Sequence, residues 1–148
     1  MPLLLAALLA FDPIAFFQGS TRGTGQLKVA LSRPVPVEVR SEGTLQPDGS
    51  LLLEQRISEG TKPPRTRQWR IRRTPAGGYT GTLSDARGAV TGAVEGDRLH
   101  LAYKGKGVRI EQWLTLAPDG RSAQNRLVAR KLGVVVAELD ETIRRAAE

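Results

Sequence analysis

Hydrophobic and polar residues alternate with a period of two along most of the chain after Thr24. In segments 27–31 and 35–40 an aliphatic side chain occupies every second position, which is the pattern of a strand with one buried face. The same pattern predicts strands over Leu51 to Ile57, Arg65 to Thr74, Tyr79 to Ala86, Ala89 to Glu95, Leu99 to Lys104, Val108 to Ala117 and Ser122 to Arg130.

Short turn sequences separate these segments. Pro47-Asp48-Gly49 combines a proline that presets one backbone dihedral with a glycine that tolerates positive φ, so it predicts a hairpin. Further turns are expected at 60–64, 75–78, 96–97, 105–107 and 118–120. Because short loops connect antiparallel neighbours, the sequence predicts an all-β antiparallel meander of about eight to ten strands.

A meander of this length must protect its edge strands, either by closing into a barrel or by stacking two sheets. Gly81, Gly88, Gly92 and Gly96 fall in consecutive predicted strands and turns, where glycines mark sharp bends. We therefore expect a closed barrel and interpret these glycines as sites of curvature rather than of ligand approach.

The last segment fits two patterns. Val135, Leu139 and Ile143 are spaced by four, as in a helix, but Val135, Ala137 and Leu139 also alternate. Acidic residues precede Arg144 and Arg145, an order that suits a helix. We expect a strand to about Leu139, followed by a short helix or a frayed turn.

The first ten residues are apolar, from Met1 to Ala10. This run is too short to cross a bilayer, which takes about 20 residues, but it matches the apolar centre of a secretory signal. No Lys or Arg precedes it, and an apolar arm docked on the domain is the alternative. We predict a signal-like segment over 1–10 and periplasmic or cell-envelope location, or cytoplasmic location if the segment is a docked arm.

Composition supports a single domain over 11–148. The chain has 148 residues, of which 40% are hydrophobic and 25% charged, as in ordinary globular proteins. It contains no cysteine, so disulfides and cysteine-ligated zinc are excluded. His100 is the single histidine, and we predict no metal site and no cofactor.

Five arginines lie in the strand around Trp69, and the formal net charge is +7. In an extended chain Arg67 shares a face with Trp69 and Ile71, so its guanidinium is expected to point inward. A buried guanidinium requires a partner. Three partners remain open: a carboxylate of the protein, the face of Trp69, or the head group of an anionic ligand.

Arg70 and Arg72 are expected on the solvent face of the same strand, where they could attract an anionic membrane surface. Nucleic acid is not predicted as a partner. Proteins that bind single strands stack bases on several exposed rings, and only Trp69 is interleaved with these arginines.

Enzyme signatures are weak. The glycine-rich stretch 19–25 leads into a strand and so lacks the helix N-terminus that binds phosphate. His100 is expected on the outer face, and no Gly-x-Ser-x-Gly motif accompanies it. Glu111 and Asp85 could serve as acid or base only if they are buried.

Several short motifs, in order and spacing, resemble domain-of-unknown-function family 3833, a group of small Gram-negative envelope proteins usually predicted to be lipoproteins. The matching elements are Phe16-Phe17-x-Gly19, Asp48-Gly49, Arg67-x-Trp69, Tyr79-x-Gly81, Asp85-x-x-Gly88-x-Val90-x-Gly92-x-x-x-Gly96, Leu99-x-Leu101-x-Tyr103, Trp113, Asn125-Arg126 and Lys131-x-Gly133.

The resemblance implies a barrel similar to lipocalins, in agreement with the meander, and no established activity. This sequence departs from the family in three places. It has no cysteine for lipidation, it has Glu111-Gln112 where the family has paired aspartates, and it has Leu132 where the family has phenylalanine. The first departure excludes a lipid anchor on the chain as given, and the second weakens any role that needs two carboxylates.

The preferred hypothesis is a non-enzymatic, monomeric binding protein whose interior holds a fatty acid or other lipid. A barrel of about eight strands is wide enough to fill itself or to hold one small ligand. Arg67 would bind the acid group beside Trp69. The other predicted ligand-binding residues are Tyr79, Tyr103, Trp113, Asn125 and Arg126.

Two other functions remain open. The barrel could be filled by its own side chains and act through its basic surface on an envelope partner or anionic lipid. Alternatively, it could modify lipids by means of a tyrosine, an arginine and a carboxylate, with Tyr103 and Glu111 as the residues to test.

Overall fold

A computed structural model of the chain describes residues 10–146 and shows a closed antiparallel barrel of ten strands. Each strand pairs with its neighbours in sequence, and β1 closes the barrel against β10. The elements are α1 (Pro13–Phe16), β1 (Gly19–Val29), β2 (Val35–Leu45), β3 (Leu51–Glu59), β4 (Arg65–Arg73), β5 (Tyr79–Leu83), β6 (Arg87–Glu95), β7 (Arg98–Lys104), β8 (Arg109–Leu116), β9 (Ser122–Lys131) and β10 (Val134–Arg145). The predicted all-β meander and its closure are confirmed.

The C-terminal segment is a strand throughout its described length. β10 continues to Arg145 and pairs with β1 and β9, so the helix or frayed turn expected after Leu139 is wrong. The segment stays extended because barrel closure, a tertiary interaction, provides hydrogen-bonding partners on both edges of this strand. Residues 1–9 lie outside the described part, and the signal-like segment 1–10 stays a prediction.

The two ends of the barrel differ. Short α1 covers one end, which we call the closed end, and the backbone N–H of Phe11 donates to the carbonyl oxygen of Gly96 in the β6–β7 turn. A Cβ at Gly43 would overlap with the carbonyl oxygen of Phe17, so a glycine is needed where this segment enters the barrel. The opposite end carries the β1–β2, β3–β4, β5–β6, β7–β8 and β9–β10 turns, and we call it the open end.

Two apolar clusters fill the interior at different levels. The larger one lies toward the closed end and includes Phe11, Phe16, Leu51 and Leu99. The smaller one consists of Val37, Val39, Ile57 and Leu139, with Leu27 and Leu127 packed against it, and lies toward the open end. Within residues 10–146 no helix has the length and apolarity that a membrane crossing requires.

Candidate ligand-binding site

A layer of polar side chains separates the two apolar clusters. Thr21, Ser41, Gln55 and Arg67 stand in register across four neighbouring strands, all on the inward face. Gln112, Asn125 and Glu141 are buried on the opposite wall. Polar groups at this depth require hydrogen bonds, and every buried side-chain nitrogen and oxygen of the described residues has one.

Gln55 holds the arginine and the tryptophan of β4 together. Its Oε1 accepts from Arg67 Nε at 2.7 Å and from Trp69 Nε1 at 2.6 Å, and its Nε2 donates to Ser41 Oγ at 3.0 Å. The guanidinium carbon of Arg67 lies 5.5 Å from the ring centroid of Trp69, a cation–π distance. The structure thus places Arg67 inward beside the indole, as strand parity predicts.

The charge of Arg67 is not neutralised by a neighbouring carboxylate. Among the residues that the structure describes, Arg67 forms no ion pair, and both of its close partners, Gln55 and Trp69, are uncharged. Burial lowers the pKa of its guanidinium, although an arginine keeps its proton in proteins. A cation without a directly paired carboxylate therefore lies inside the barrel, and Asp85 and Glu141 act on its charge only at longer range.

A chain of hydrogen bonds crosses the opposite wall. Tyr103 OH donates to Gln112 Oε1 at 3.0 Å, Gln112 Nε2 donates to Asn125 Oδ1 at 3.4 Å, and Asn125 Nδ2 donates to Glu141 Oε1 at 2.9 Å. Gly23 provides space for the last group, because a Cβ there would overlap with the Glu141 carboxyl group. The Tyr103 ring also packs edge-on against Trp69, with centroids 5.6 Å apart, and so connects the two walls.

Burial changes the acidity of two of these groups. It raises the pKa of Glu141, against the opposing effects of the Asn125 hydrogen bond and the Arg67 charge. It also raises the pKa of Tyr103 to about 12. Tyr103 is therefore a neutral phenol at physiological pH.

Arg67 lies between two spaces of different size. Toward the closed end is a cavity of about 60 Å³, enough for a few water molecules, whose lining also includes Asn125 and Glu141. Toward the open end is a cleft of about 290 Å³. Its walls are mainly aliphatic, and Tyr103 lies at its base with Arg67. The barrel is thus filled at one end and open at the other.

The charges of the cleft are confined to its rim and its base. Glu59, Arg65, Asp85 and Lys106 line it toward the turns, and Arg65 pairs with Asp85 at 3.1 Å. An aliphatic wall that ends at one cation suits a molecule with an apolar body and an anionic head group. The described residues contain no group of three or more side chains arranged to hold a metal ion.

Five of the seven predicted site residues face the interior. Arg67 and Asn125 belong to the polar layer, while Trp69 and Tyr103 donate hydrogen bonds to its members Gln55 and Gln112 and touch each other. Tyr79 is buried, but it lines the small cavity on the closed side of Arg67. Arg67 and Tyr103 are the two that border the cleft.

The remaining two, Trp113 and Arg126, do not face the interior, where the predicted site residues were expected to lie. They stand opposite each other on β8 and β9, and both are on the outer face. Trp113 stacks on His100 at 5.2 Å, while Arg126 pairs with Glu138 at 2.9 Å. The physical reason is strand parity, because Gln112 and Asn125, one position earlier on each strand, take the inward positions.

Glu111, a conditional acid or base candidate, is also on the outer face. It binds His100 Nε2 at 2.8 Å and Arg130 at 3.1 Å, and its side chain is 36% exposed. Its partial exposure does not meet the condition of burial on which that role depended. Asp85, the other candidate, is 46% exposed at the rim.

Sequence reasoning missed Gln55, Gln112 and Glu141. Each stands two residues from an aliphatic residue on at least one side, as Glu141 does between Leu139 and Ile143. A polar residue at an inward-facing position of a strand was therefore the signal that could have identified all three.

The fold defines a small closed antiparallel β-barrel of the lipocalin-like class. The chain belongs to the family of proteins of unknown function DUF3833, whose model matches residues 7–145. Among solved structures it is similar to the S-type phycobiliprotein lyase CPES from Guillardia theta, with a TM-score of 0.72, 10% identity and 91% of each chain covered. At this identity the likeness concerns the fold. No curated protein matches the sequence.

Proposed function

We propose that the protein is a non-enzymatic binding protein for an amphiphilic molecule with an anionic head group, such as a fatty acid. The head group binds Arg67 beside Trp69, with Tyr103 OH as a further polar contact, and the apolar chain lies in the open cleft.

A cell-envelope or periplasmic location belongs to the same proposal. It rests on the sequence of residues 1–10 and on the family resemblance, and fractionation of cells that express the full chain tests it.

The observation that carries the proposal is the cation at the base of an aliphatic cleft. Arg67 has neutral partners, so an incoming carboxylate gains a charge-assisted hydrogen bond without breaking an existing ion pair. Hydrogen bonds of this kind contribute about 1.5–3 kcal/mol, or roughly 10- to 100-fold in affinity. The aliphatic walls contribute through burial of the chain.

The size of the cleft limits the ligand. About 290 Å³ is at the lower end of the range of small-molecule sites, roughly 300–1,000 Å³. The cleft therefore fits a short or medium chain, or the first part of a longer chain whose remainder projects from the open end.

The two tryptophans make a direct binding test possible. Trp69 lies at the site and Trp113 lies on the outer face, so a Trp113→Phe variant reports on the site through Trp69 alone. Titration of this variant with decanoate should change its fluorescence, and Arg67→Gln in the same background should weaken binding by at least about tenfold. Decanol, which has no charge, should lose little affinity in Arg67→Gln.

Arg70→Gln is the matched control, because Arg70 is exposed on the outer face of the same strand. It should bind decanoate as the parent does. An unchanged affinity in Arg67→Gln, with the fold intact by circular dichroism, would contradict the assignment of the head group. The complete absence of binding by fatty acids of any chain length would contradict the function itself.

A further inference from the structure

Two leucines at the open end are exposed completely. Leu31 lies in the β1–β2 turn and Leu132 in the β9–β10 turn, with relative exposures of 105% and 97%. The two turns are neighbours, because β1 pairs with β10 and the backbone N–H of Ala30 donates to the carbonyl oxygen of Val136 at 2.8 Å. The leucines thus occupy adjacent hairpins of one rim.

Both leucines have a backbone conformation that leucine seldom adopts. Their φ angles are 65° and 51°, in the left-handed region. Gly133 follows Leu132 with a φ of 81°, so this two-residue turn has positive φ at both positions, a geometry that favours Asn-Gly. Leu132 therefore stands where asparagine would be more stable, and its exposure offers no compensating burial within the chain.

Exposed valines extend this apolar surface. Val134, Val135 and Val29 on the same two hairpins are 65%, 40% and 43% exposed. We call the five residues Val29, Leu31, Leu132, Val134 and Val135 the rim patch. A contiguous exposed apolar patch marks a site of interaction with another molecule or a membrane.

The charges of the turns differ between the two ends of the barrel. Arg33, Lys62 and Lys106 lie in the open-end turns, and Lys131 lies next to Leu132. Lys62 pairs with Glu59 at the end of β3 at 3.1 Å, which leaves Arg33, Lys106 and Lys131 as basic side chains of this rim without an ion pair among the described residues. Asp85 is the one acidic residue of the described open-end turns, and Arg65 pairs with it at 3.1 Å. At the closed end the β2–β3, β6–β7 and β8–β9 turns each carry an aspartate: Asp48, Asp97 and Asp119.

We propose that the open rim docks on the surface of a membrane that contains anionic phospholipids. Leu31 and Leu132 enter the boundary between head groups and acyl chains, and the basic side chains of the open-end turns contact the phosphates. Charge complementarity favours this partner over an apolar protein surface. The proposal stands on the rim alone and does not require that the cleft bind a ligand.

Vesicle sedimentation tests the proposal. The full-length protein should bind vesicles of phosphatidylcholine with about one third phosphatidylglycerol much more strongly than vesicles of phosphatidylcholine alone, and added salt should weaken the binding. The double variant Leu31→Asn with Leu132→Asn should bind the anionic vesicles at least about tenfold more weakly, because it removes two apolar anchors.

This variant is expected to fold, since asparagine tolerates left-handed φ, and its melting temperature should equal or exceed that of the parent. The matched control is Leu45→Asn, which replaces a half-exposed leucine at the closed end and should bind as the parent does. In the same way, Lys131→Glu should weaken binding and Arg121→Glu, in a closed-end turn, should not.

Three results would overturn the proposal. The first is equal binding to both kinds of vesicle, and the second is unchanged binding by a folded double variant. The third is a dimer in analytical ultracentrifugation that the double variant abolishes, because the rim patch would then be covered by a second copy of the chain.

Discussion

Glu141 is a buried carboxyl group, and within residues 10–146 its one hydrogen-bond donor is the amide of Asn125. Burial raises its pKa above the ordinary value of 4.5, so the folded protein holds this proton to higher pH than the unfolded chain does. Between the two pKa values the folded state binds more protons, and stability must fall as pH rises. The unfolding free energy lost by ionising the buried Glu141 carboxyl is zero below its ordinary pKa and reaches its full value above the raised pKa.

We therefore predict that Glu141→Gln gains stability relative to the parent as pH rises through this window. The amide oxygen of the introduced glutamine can accept from Asn125 Nδ2 as the carboxylate oxygen does in the parent, so that hydrogen bond is kept in the variant. Urea unfolding from about pH 3.5 to 8 measures the difference in unfolding free energy. Its change with pH is decisive, because altered packing adds only a constant offset.

Asp140→Asn is the control for this experiment, since Asp140 is exposed on the same strand with its side chain 72% accessible. It should show no comparable gain at neutral pH. A gain in Glu141→Gln that is the same at every pH would contradict the assigned protonation of the carboxyl group.

The polar layer also shows how far sequence reasoning extends at the residue scale. Arg67 was predictable because a large aromatic and an aliphatic residue share its face of the strand. Glu141 was not predictable, because its segment fitted both a helix and a strand. Alternation assigns Glu141 an inward position only if the segment is a strand. The tertiary pairing of β10 had to be known first.

At the scale of elements, α1 depends on its first turn. Asp12 Oδ1 accepts from the backbone N–H of Ala15 at 3.1 Å, and Asp12 Oδ2 pairs with Arg73 at 2.7 Å. The helix has four residues, too few for a periodic pattern, which is why the sequence did not predict it. Its apolar neighbours hold it on the barrel end, and the cap fixes its direction.

We expect Asp12→Ala to lower the free energy of unfolding by about 1 kcal/mol, the usual cost of a lost N-cap. Asp12→Asn keeps the cap and loses only an exposed ion pair, so its cost should stay below about 0.5 kcal/mol. Chemical denaturation of the two variants separates the two contributions, because Asp12→Asn removes the charge of the ion pair and leaves the contacts of Arg73 with Tyr79 in place. A loss in Asp12→Asn as large as that in Asp12→Ala would instead assign the stabilisation to the ion pair.

The strands themselves were largely predictable, and besides the end of β10 the two ends of β1 are informative exceptions. β1 begins at Gly19, well before the expected alternation, because Gly23 and Gly25 contribute no side chain to a pattern. It also ends at Val29, whereas Leu31 was expected to continue it. Alternation alone cannot distinguish an aliphatic residue in a strand from one placed in an adjacent turn.

At the scale of the whole molecule, the polar layer divides the barrel into halves of unequal packing. The large rings of Phe11 and Phe16 lie in the closed half, whereas the cleft occupies the open half. Cooperative local opening is favoured where few apolar contacts would be lost. The open half should therefore be the more mobile one in the free protein.

Native-state hydrogen exchange tests this division. Backbone amides near the open end should exchange at least about tenfold faster than those of the closed half. Decanoate should slow exchange selectively at the open end. In Arg67→Gln, decanoate should give little protection. Uniform exchange over both halves would contradict the division of the barrel.

Ten strands in a simple meander have a geometric consequence for handling the protein. An even number of passes returns the backbone to the side from which it started, so Phe11 and Arg145 both lie at the closed end. A linker or solid support attached next to Phe11 or Arg145 would therefore start from the closed end, on the side of the barrel opposite the rim patch. The same proximity suits a circular permutant with new termini in the β3–β4 turn, at 60–64.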